Sequence, residues 1–197
     1  MKIGVGVEGP SDLQFWGKIL PKHFRGWQFD IRNMKNRDKL VRATPDLVEE
    51  FRSLKRRAAI IILDRDKDPC IQAVLESFDP ASRQAAKTEP IQERFLHICV
   101  AVRKLECWFL ADSQAINAVI AGASWAPPAE TAECSGKHEI GQLLQSRSQS
   151  SVGYNEIDFA KSIAPKFAPR RAETRSASFR HFWRRLSTVC SSGPSGS

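Results

Sequence analysis

Ala58-Ala59-Ile60-Ile61-Ile62-Leu63-Asp64-Arg65-Asp66 is the stretch on which the fold turns. An apolar run with three consecutive isoleucines and no polar interruption marks a strand buried on both faces of a sheet. Two carboxylates at alternate positions follow it directly. Upstream, Lys2-Ile3-Gly4-Val5-Gly6-Val7 is a second short apolar run that stops at Glu8-Gly9-Pro10. Downstream, Phe95-Leu96-His97-Ile98-Cys99-Val100-Ala101-Val102 is another buried strand, and Trp27 to Ile31 supplies one more.

Helical patterns separate these strands. Ser11 reads as an N-cap with Gln14 in the capping-box position, and Leu13, Trp16 and Leu20 fall on one face, with Phe15 and Ile19 beside it. Thr44-Pro45-Asp46, a cap followed by proline and an acid, predicts a second helix start, with Val48, Phe51 and Leu54 as its buried stripe. Asp68-Pro69 opens a third, carrying Val74, Leu75 and Phe78, with Asp68 as its cap. Strands alternating with helices predict an α/β fold: a four-stranded parallel sheet with right-handed crossovers and flanking helices. Ligands in such sheets gather at the carboxyl ends of the strands.

Past Val102 the pattern turns helical. Cys107 to Leu110 and Ala115 to Ile120 are apolar, Gly122 is a stop, and 122–136 has no period and reads as a loop. Ile140, Leu143 and Leu144 mark one short helix, and Ile157, Ala160 and Ile163 another. The last helix carries Phe179, Phe182, Trp183, Leu186 and Val189 on one side and Arg180, Arg184 and Arg185 off that stripe. The expected organisation is an α/β core over 1–112, a helical extension packed on it over 113–190, and a flexible tail over 191–197.

An apolar share of 42% suffices for a core in 197 residues. No apolar run approaches the roughly 20 residues of a membrane helix. The opening strand is too short for a signal-peptide core, which together with the cysteines predicts a cytoplasmic protein. Those cysteines, Cys70, Cys99, Cys107, Cys134 and Cys190, are odd in number and form no C-x-x-C pair, as expected of reduced thiols. The net charge of +8 is uneven. From Lys161 onward eight basic residues face one acid, Glu173, so this stretch carries +7 and the first 160 residues only +1. Such a concentration is the footprint of a phosphate-backbone contact, or equally of a solvated basic face. On the first reading Lys137, Lys161, Arg175, Arg180 and Arg184 are the candidate nucleic-acid contacts.

The chemistry lies in the acids after the strands: Glu8 with Asp12, Asp64 with Asp66, and Glu106 with Asp112. Converging carboxylates repel one another and are costly to desolvate without a cation. Alternate residues of a strand point the same way, so D-x-D with a glutamate from a neighbouring strand makes a cradle for Mg2+ or Mn2+. Two such ions about 4 Å apart could clamp an in-line phosphoryl displacement. Plainer readings stand beside this one: Asp12 as a helix-start acid, Asp112 as a cap, Glu106 as a solvated or capping residue. The D-x-D also suits a dehalogenase-type phosphatase with Asp64 as nucleophile. The four histidines are scattered, and no G-x-S-x-G, H-E-x-x-H, Walker A or dinucleotide fingerprint occurs.

Val7-Glu8-Gly9-Pro10-Ser11-Asp12 resembles the V-E-G-x-[ST]-D opening of TOPRIM domains, and Leu63-Asp64-Arg65-Asp66 resembles their h-D-x-D motif. The TOPRIM group includes topoisomerases, bacterial primases, a small RNase that matures 5S RNA and the overcoming-lysogenization-defect nucleases. Leu105-Glu106-Cys107-Trp108-Phe109-Leu110-Ala111-Asp112 and Ser176-Ala177-Ser178-Phe179-Arg180-His181-Phe182 extend the likeness. Both are similar to motifs of an uncharacterised bacterial family distantly related to those nucleases. The resemblance implies a TOPRIM-like, Rossmannoid sheet and a divalent-metal-dependent nuclease. In it Glu8, Asp64 and Asp66 would be catalytic, and Glu8, Asp12, Asp64, Asp66 and Glu106 would hold metal. It also implies a lysine near the scissile phosphate, for which Lys137 and Lys161 are candidates, and an ATPase partner as in phage-defence pairs. The rival from another class is a non-catalytic nucleic-acid-binding or regulatory subunit that works through its basic C-terminal surface.

Overall fold

A computed structural model describes residues 1–87, 90–131, 134–146 and 154–191. Four strands, β1 (Lys2–Val7), β2 (Gln28–Asn33), β3 (Ala59–Asp64) and β4 (Leu96–Ala101), form one all-parallel sheet in the order β2-β1-β3-β4. Helix α1 (Pro10–His23) links β1 to β2, and α2 (Arg37–Ser53) returns across β1 to β3. The short helices α3 (Ile71–Glu76) and α4 (Pro80–Ala85) lead to β4. The chain thus moves outward from β1 in one direction and then in the other. Right-handed crossovers place α1 on one face and α2 and α3 on the opposite face.

Each strand serves both faces by alternation. Ile3, Val5 and Val7 join Ile60 and Ile62 under Phe15, Trp16, Ile19 and Leu20 of α1. Ala59, Ile61 and Leu63 pack instead with Leu40, Val41, Leu47, Val48 and Phe51 of α2 and Val74 of α3. The β1 positions that face α2 are Gly4 and Gly6. A Cβ on Gly4 would lie 2.3 Å from the Phe51 ring, so glycine there lets the helix approach.

After β4 come α5 (Leu105–Leu110), α6 (Ser113–Val119), α7 (Lys137–Gln145), α8 (Glu156–Ile163), α9 (Pro169–Ala172) and α10 (Ala177–Ser191). They cover the α1 face. Trp16, Trp108, Phe179 and Phe182 meet edge-on, tilted or stacked, with ring centroids 5.0–6.1 Å apart, joining α1, α5 and α10. The core on this face therefore runs unbroken from β1 to α10. Among the described residues no helix is long and apolar enough to cross a membrane, and no disulfide joins the cysteines.

Several local expectations give way. Helix α1 is capped by Gly9, with Pro10 in its first turn; the Gly9 N–H donates to Asp12 Oδ2 at 3.0 Å, so Ser11 and Gln14 form no capping box. Helix α2 starts at Arg37, where Asn36 accepts from the Lys39 N–H, and Thr44-Pro45 lies inside it. The stripe of Leu40 and Val41, buried against the sheet, outweighs the proline. Cys70, not Asp68, occupies the cap of α3, because Asp68 is drawn into an ion pair with Arg37. The second strand begins and ends one or two residues later than its apolar stretch suggests. Helices α4 and α9 were not foreseen, although Asp79-Pro80 is a cap-and-proline start. Of the expected tail, Ser191 ends α10 and 192–197 lie outside the described residues.

Candidate metal centre

The topological reversal lies between β1 and β3, and the carboxyl ends of these two strands open into a cleft of about 500 Å³. Parallel register pairs Val7 with Ile62, which brings Glu8, the residue that follows β1, beside the end of β3. The Asp64 N–H donates to Glu8 Oε1 at 2.6 Å. Carboxylate oxygens of Glu8, Asp64 and Asp66 lie within 4.8 Å of one another. Strand alternation does not align the D-x-D pair as expected. β3 ends at Asp64, and Asp66 turns back in the left-handed region (φ 52°), held by its N–H to the Arg103 carbonyl at 2.9 Å.

Asp12, in the first turn of α1, and Glu106, in the first turn of α5, line the same cleft, without joining that closest group. Glu106 is only 4% exposed, which removes its solvated reading, and its Oε1 accepts from the Tyr154 hydroxyl at 3.1 Å. Asp112, the sixth strand-following acid, does not belong to the cleft. It caps α6 through the Ala115 N–H and is completely buried against Arg171, which donates from Nε and Nη2 at 2.6 and 2.9 Å.

Crowding shows in the proton affinities. Burial lifts the Glu8 carboxyl from 4.5 to about 7, opposed by the Asp64 N–H and reinforced by Asp66. Burial, then the charges of Glu8 and Glu106, lift Asp12 from 3.8 to about 7. Asp64 is raised well above its ordinary value by burial and then by Asp12, Glu8, Glu106 and Asp66. Glu106 is raised as well, chiefly by burial. Each shift favours the uncharged acid, and each would be reversed by a cation among them.

Sequence reasoning missed two of the cations at the rim. Lys104 Nζ lies 2.5 Å from Asp66 Oδ1. Burial works against its ammonium, but the hydrogen bond and charge of Asp66, with Asp64 and Glu106, outweigh that and raise its pKa. Arg37 donates to the Arg65 carbonyl at 3.3 Å and pairs with Asp68. Both residues follow strand ends, β4 and β2, so the carboxyl-end rule that selected the acids could have selected them. Lys137 lines the cleft too, paired with Glu156. Lys161 does not: it comes five residues after Glu156, not the three or four that share a helix face, and pairs with Asp158 at 3.5 Å.

The basic C-terminal stretch is not one surface. Arg171 is spent on Asp112, and Arg185 donates to the Ile98 carbonyl at 3.3 Å. Arg180 donates from Nε to the Glu173 carbonyl and lines a hollow with Arg184, whereas Arg175 lines another with Arg170 and Arg171. None of Arg175, Arg180 and Arg184 lines the acidic cleft.

Fold and site together define a class: a parallel α/β protein with clustered carboxylates and cations at the switch point of its sheet. Within that class the chain belongs to the DUF4276 family, a domain of unknown function, whose model matches residues 7–187 and so spans every cleft residue named above. No curated protein and no solved structure matches the chain.

Proposed function

We propose that the cleft is the centre of a divalent-metal-dependent nuclease. The observation that carries the reading is the convergence of Glu8, Asp64 and Asp66 from two strands onto one point, with Asp12 and Glu106 behind them. The donor set is all oxygen, which fits a hard ion such as Mg2+ or Mn2+. Glu8, Asp64 and Asp66 would hold it, with Asp12 and Glu106 supplying further negative charge. When bound, such an ion lowers the pKa of water and offsets charge on a phosphoryl group.

The chain's own residues supply the rest. Lys104 stays protonated and stands where it could meet a non-bridging phosphate oxygen, the role the TOPRIM resemblance gives to a lysine. Arg37 and Lys137 give the cleft a cationic margin that draws in a phosphate backbone.

The Lys104–Asp66 pair favours the second reading, a non-catalytic nucleic-acid-binding subunit, since an internal cation already serves one carboxylate. A phosphatase using Asp64 as nucleophile fits less well, because this D-x-D follows the third strand of the chain. A role in defence with an ATPase partner rests on the resemblance alone.

The test is incubation of purified protein with plasmid DNA and with single-stranded RNA, in Mg2+, Mn2+ or chelator. Metal-dependent cleavage that disappears in both Asp64→Ala and Glu8→Ala supports the nuclease. Salt-sensitive binding without cutting, indifferent to both substitutions, supports the subunit. Release of phosphate from a small phosphoester with an adduct on Asp64 supports the phosphatase.

A further inference from the structure

Among the described residues no other strand pairs with the outer edge of β4. The Phe95 and Ala101 carbonyls accept from Ala59 and Arg65, so odd-numbered residues of β4 turn their backbone groups toward β3. Even-numbered residues turn theirs outward. Two of these outward groups are capped: the Ile98 carbonyl by Arg185 at 3.3 Å and the Val102 N–H by Ser178 Oγ at 3.4 Å. Between the caps lie the N–H and carbonyl of Val100, and just before the first cap lies the N–H of Ile98.

This edge is the floor of a groove of about 540 Å³, flanked by α3 and α4 on one side and α10 on the other. Ile71, 43% exposed, and Leu75 form one apolar wall, and Phe182 contributes to the other. Arg83, Lys87, Arg94 and Arg185 line it, and no carboxylate does among the described residues. Among the described residues the Nε–H groups of Arg83, on α4, and Arg185, on α10, are shielded from solvent without a hydrogen-bond acceptor, a condition four other arginines share, so it is the concentration of positive charge along the groove that calls for an acidic occupant.

We infer that this groove docks an extended acidic segment of a partner protein, which adds to the edge of β4. Main-chain groups of the segment would meet Val100 and Ile98, its apolar side chains would lie toward Ile71 and Phe182, and its carboxylates would reach Arg83 and Arg185. Strand addition of this type takes affinity from the backbone and selectivity from alternate side chains. The site is separate from the acidic cleft and does not depend on what the cleft does.

The probe is a fluorescein-labelled seven-residue peptide alternating aspartate with valine, added to the full chain and read by anisotropy. Binding is expected, with at least a tenfold loss when lysine replaces aspartate and in Arg83→Glu. Of two versions N-methylated at the valine or at the aspartate amides, one should lose at least tenfold and the other bind as before. Hydrogen exchange on wild-type protein should show slower exchange at the Ile98 and Val100 amides with peptide, a readout that stands even if Arg83→Glu does not fold. The proposal is overturned if the acidic peptide does not bind, if both methylated versions bind unchanged, or if those two amides gain no protection. Displacement of the peptide by single-stranded oligothymidylate would overturn it too, in favour of a nucleic-acid groove.

Discussion

Glu8→Gln is expected to make the metal-free protein more stable. The Glu8 carboxyl lies at about 7, not 4.5, because burial penalises its charge and Asp66 repels it, against the opposing Asp64 N–H. Between those values the folded protein keeps a proton that the unfolded chain has released. Stability from this group is therefore complete below about 4.5 and is lost as pH rises through about 7. At about 1.36 kcal/mol per pH unit, that interval caps the loss at about 3 kcal/mol. Glutamine keeps an oxygen for the Asp64 N–H and cannot charge, so at pH 8 it should recover most of this. Allowing for water in the half-buried cleft, about 2 kcal/mol would remain, equivalent to a rise of about 4–8 °C in Tm for a chain of this size.

The assay is calorimetry in chelator at pH 5 and pH 8. His97, held down to about 4 mainly by burial, tilts the profile the other way, since its contribution is present above 6.5 and lost as pH falls through about 4. The difference between variant and wild type cancels that contribution. It should be positive at pH 8 and several-fold smaller at pH 5. Millimolar Mg2+ should raise the wild-type Tm at pH 8 and move the variant much less, because an ion that binds only the folded state stabilises it in proportion to its affinity. A variant no more stable than wild type at pH 8, or a difference equal at both pH values, refutes the account of mutually repelling carboxylates.

Three further outcomes are expected. Gly4→Ala places a Cβ 2.3 Å from a buried phenyl ring and should cost at least about 1–3 kcal/mol in urea denaturation; an unaffected midpoint would mean α2 is not seated this closely. Arg171→Ala strips two hydrogen bonds from the fully buried Asp112 and should cost about 3 kcal/mol in the same denaturation; an unchanged midpoint would mean the pair adds nothing to stability. Lys104→Ala should slow nucleic-acid cleavage about 100-fold while leaving the Mg2+-induced rise in Tm in place; an undiminished rate would remove Lys104 from the reaction.

What could be read from the sequence is what local periodicity controls. The Ile60–Leu63 run had to be buried on both faces, and alternation along β1 assigns Ile3, Val5 and Val7 to one layer and leaves Gly4 and Gly6 to the other. From those strand ends, Glu8, Asp64 and Asp66 followed by rule. The failures share a cause: the deciding partner is remote in sequence. Asp68 has the chemistry of a cap, but Arg37, 31 residues earlier, takes it. Thr44-Pro45 is a sound helix start on local grounds, and only the seat of Leu40 and Val41 against the sheet shows that the helix had already begun. Lys104 reaches Asp66 because one left-handed residue turns each loop, Asp66 (φ 52°) after β3 and Arg103 (φ 67°) after β4, which no pattern of residue types announces.

The later motifs acquire distinct physical roles once α5 is in place. Along that one turn-and-a-half helix, Glu106 faces the cleft and Trp108 faces the core, and Asp112 just beyond it anchors α6 and Arg171. The Trp108 indole N–H donates to Ser178 Oγ at 2.8 Å and its ring stacks on Phe182, 5.3 Å away, so the Ser-x-x-x-Phe spacing near the C-terminus grips one tryptophan at both its polar and its apolar parts. Ser178 also accepts from Val102, at the end of β4 and two residues before Lys104. The C-terminal helix therefore does not need to touch the carboxylates to matter to them. A helix of six residues is too short to hold its own position, and Glu106 is a costly group to bury. The aromatic lock between α1, α5 and α10 fixes that helix and offsets the cost, which ties the last motif of the chain to the geometry of the first.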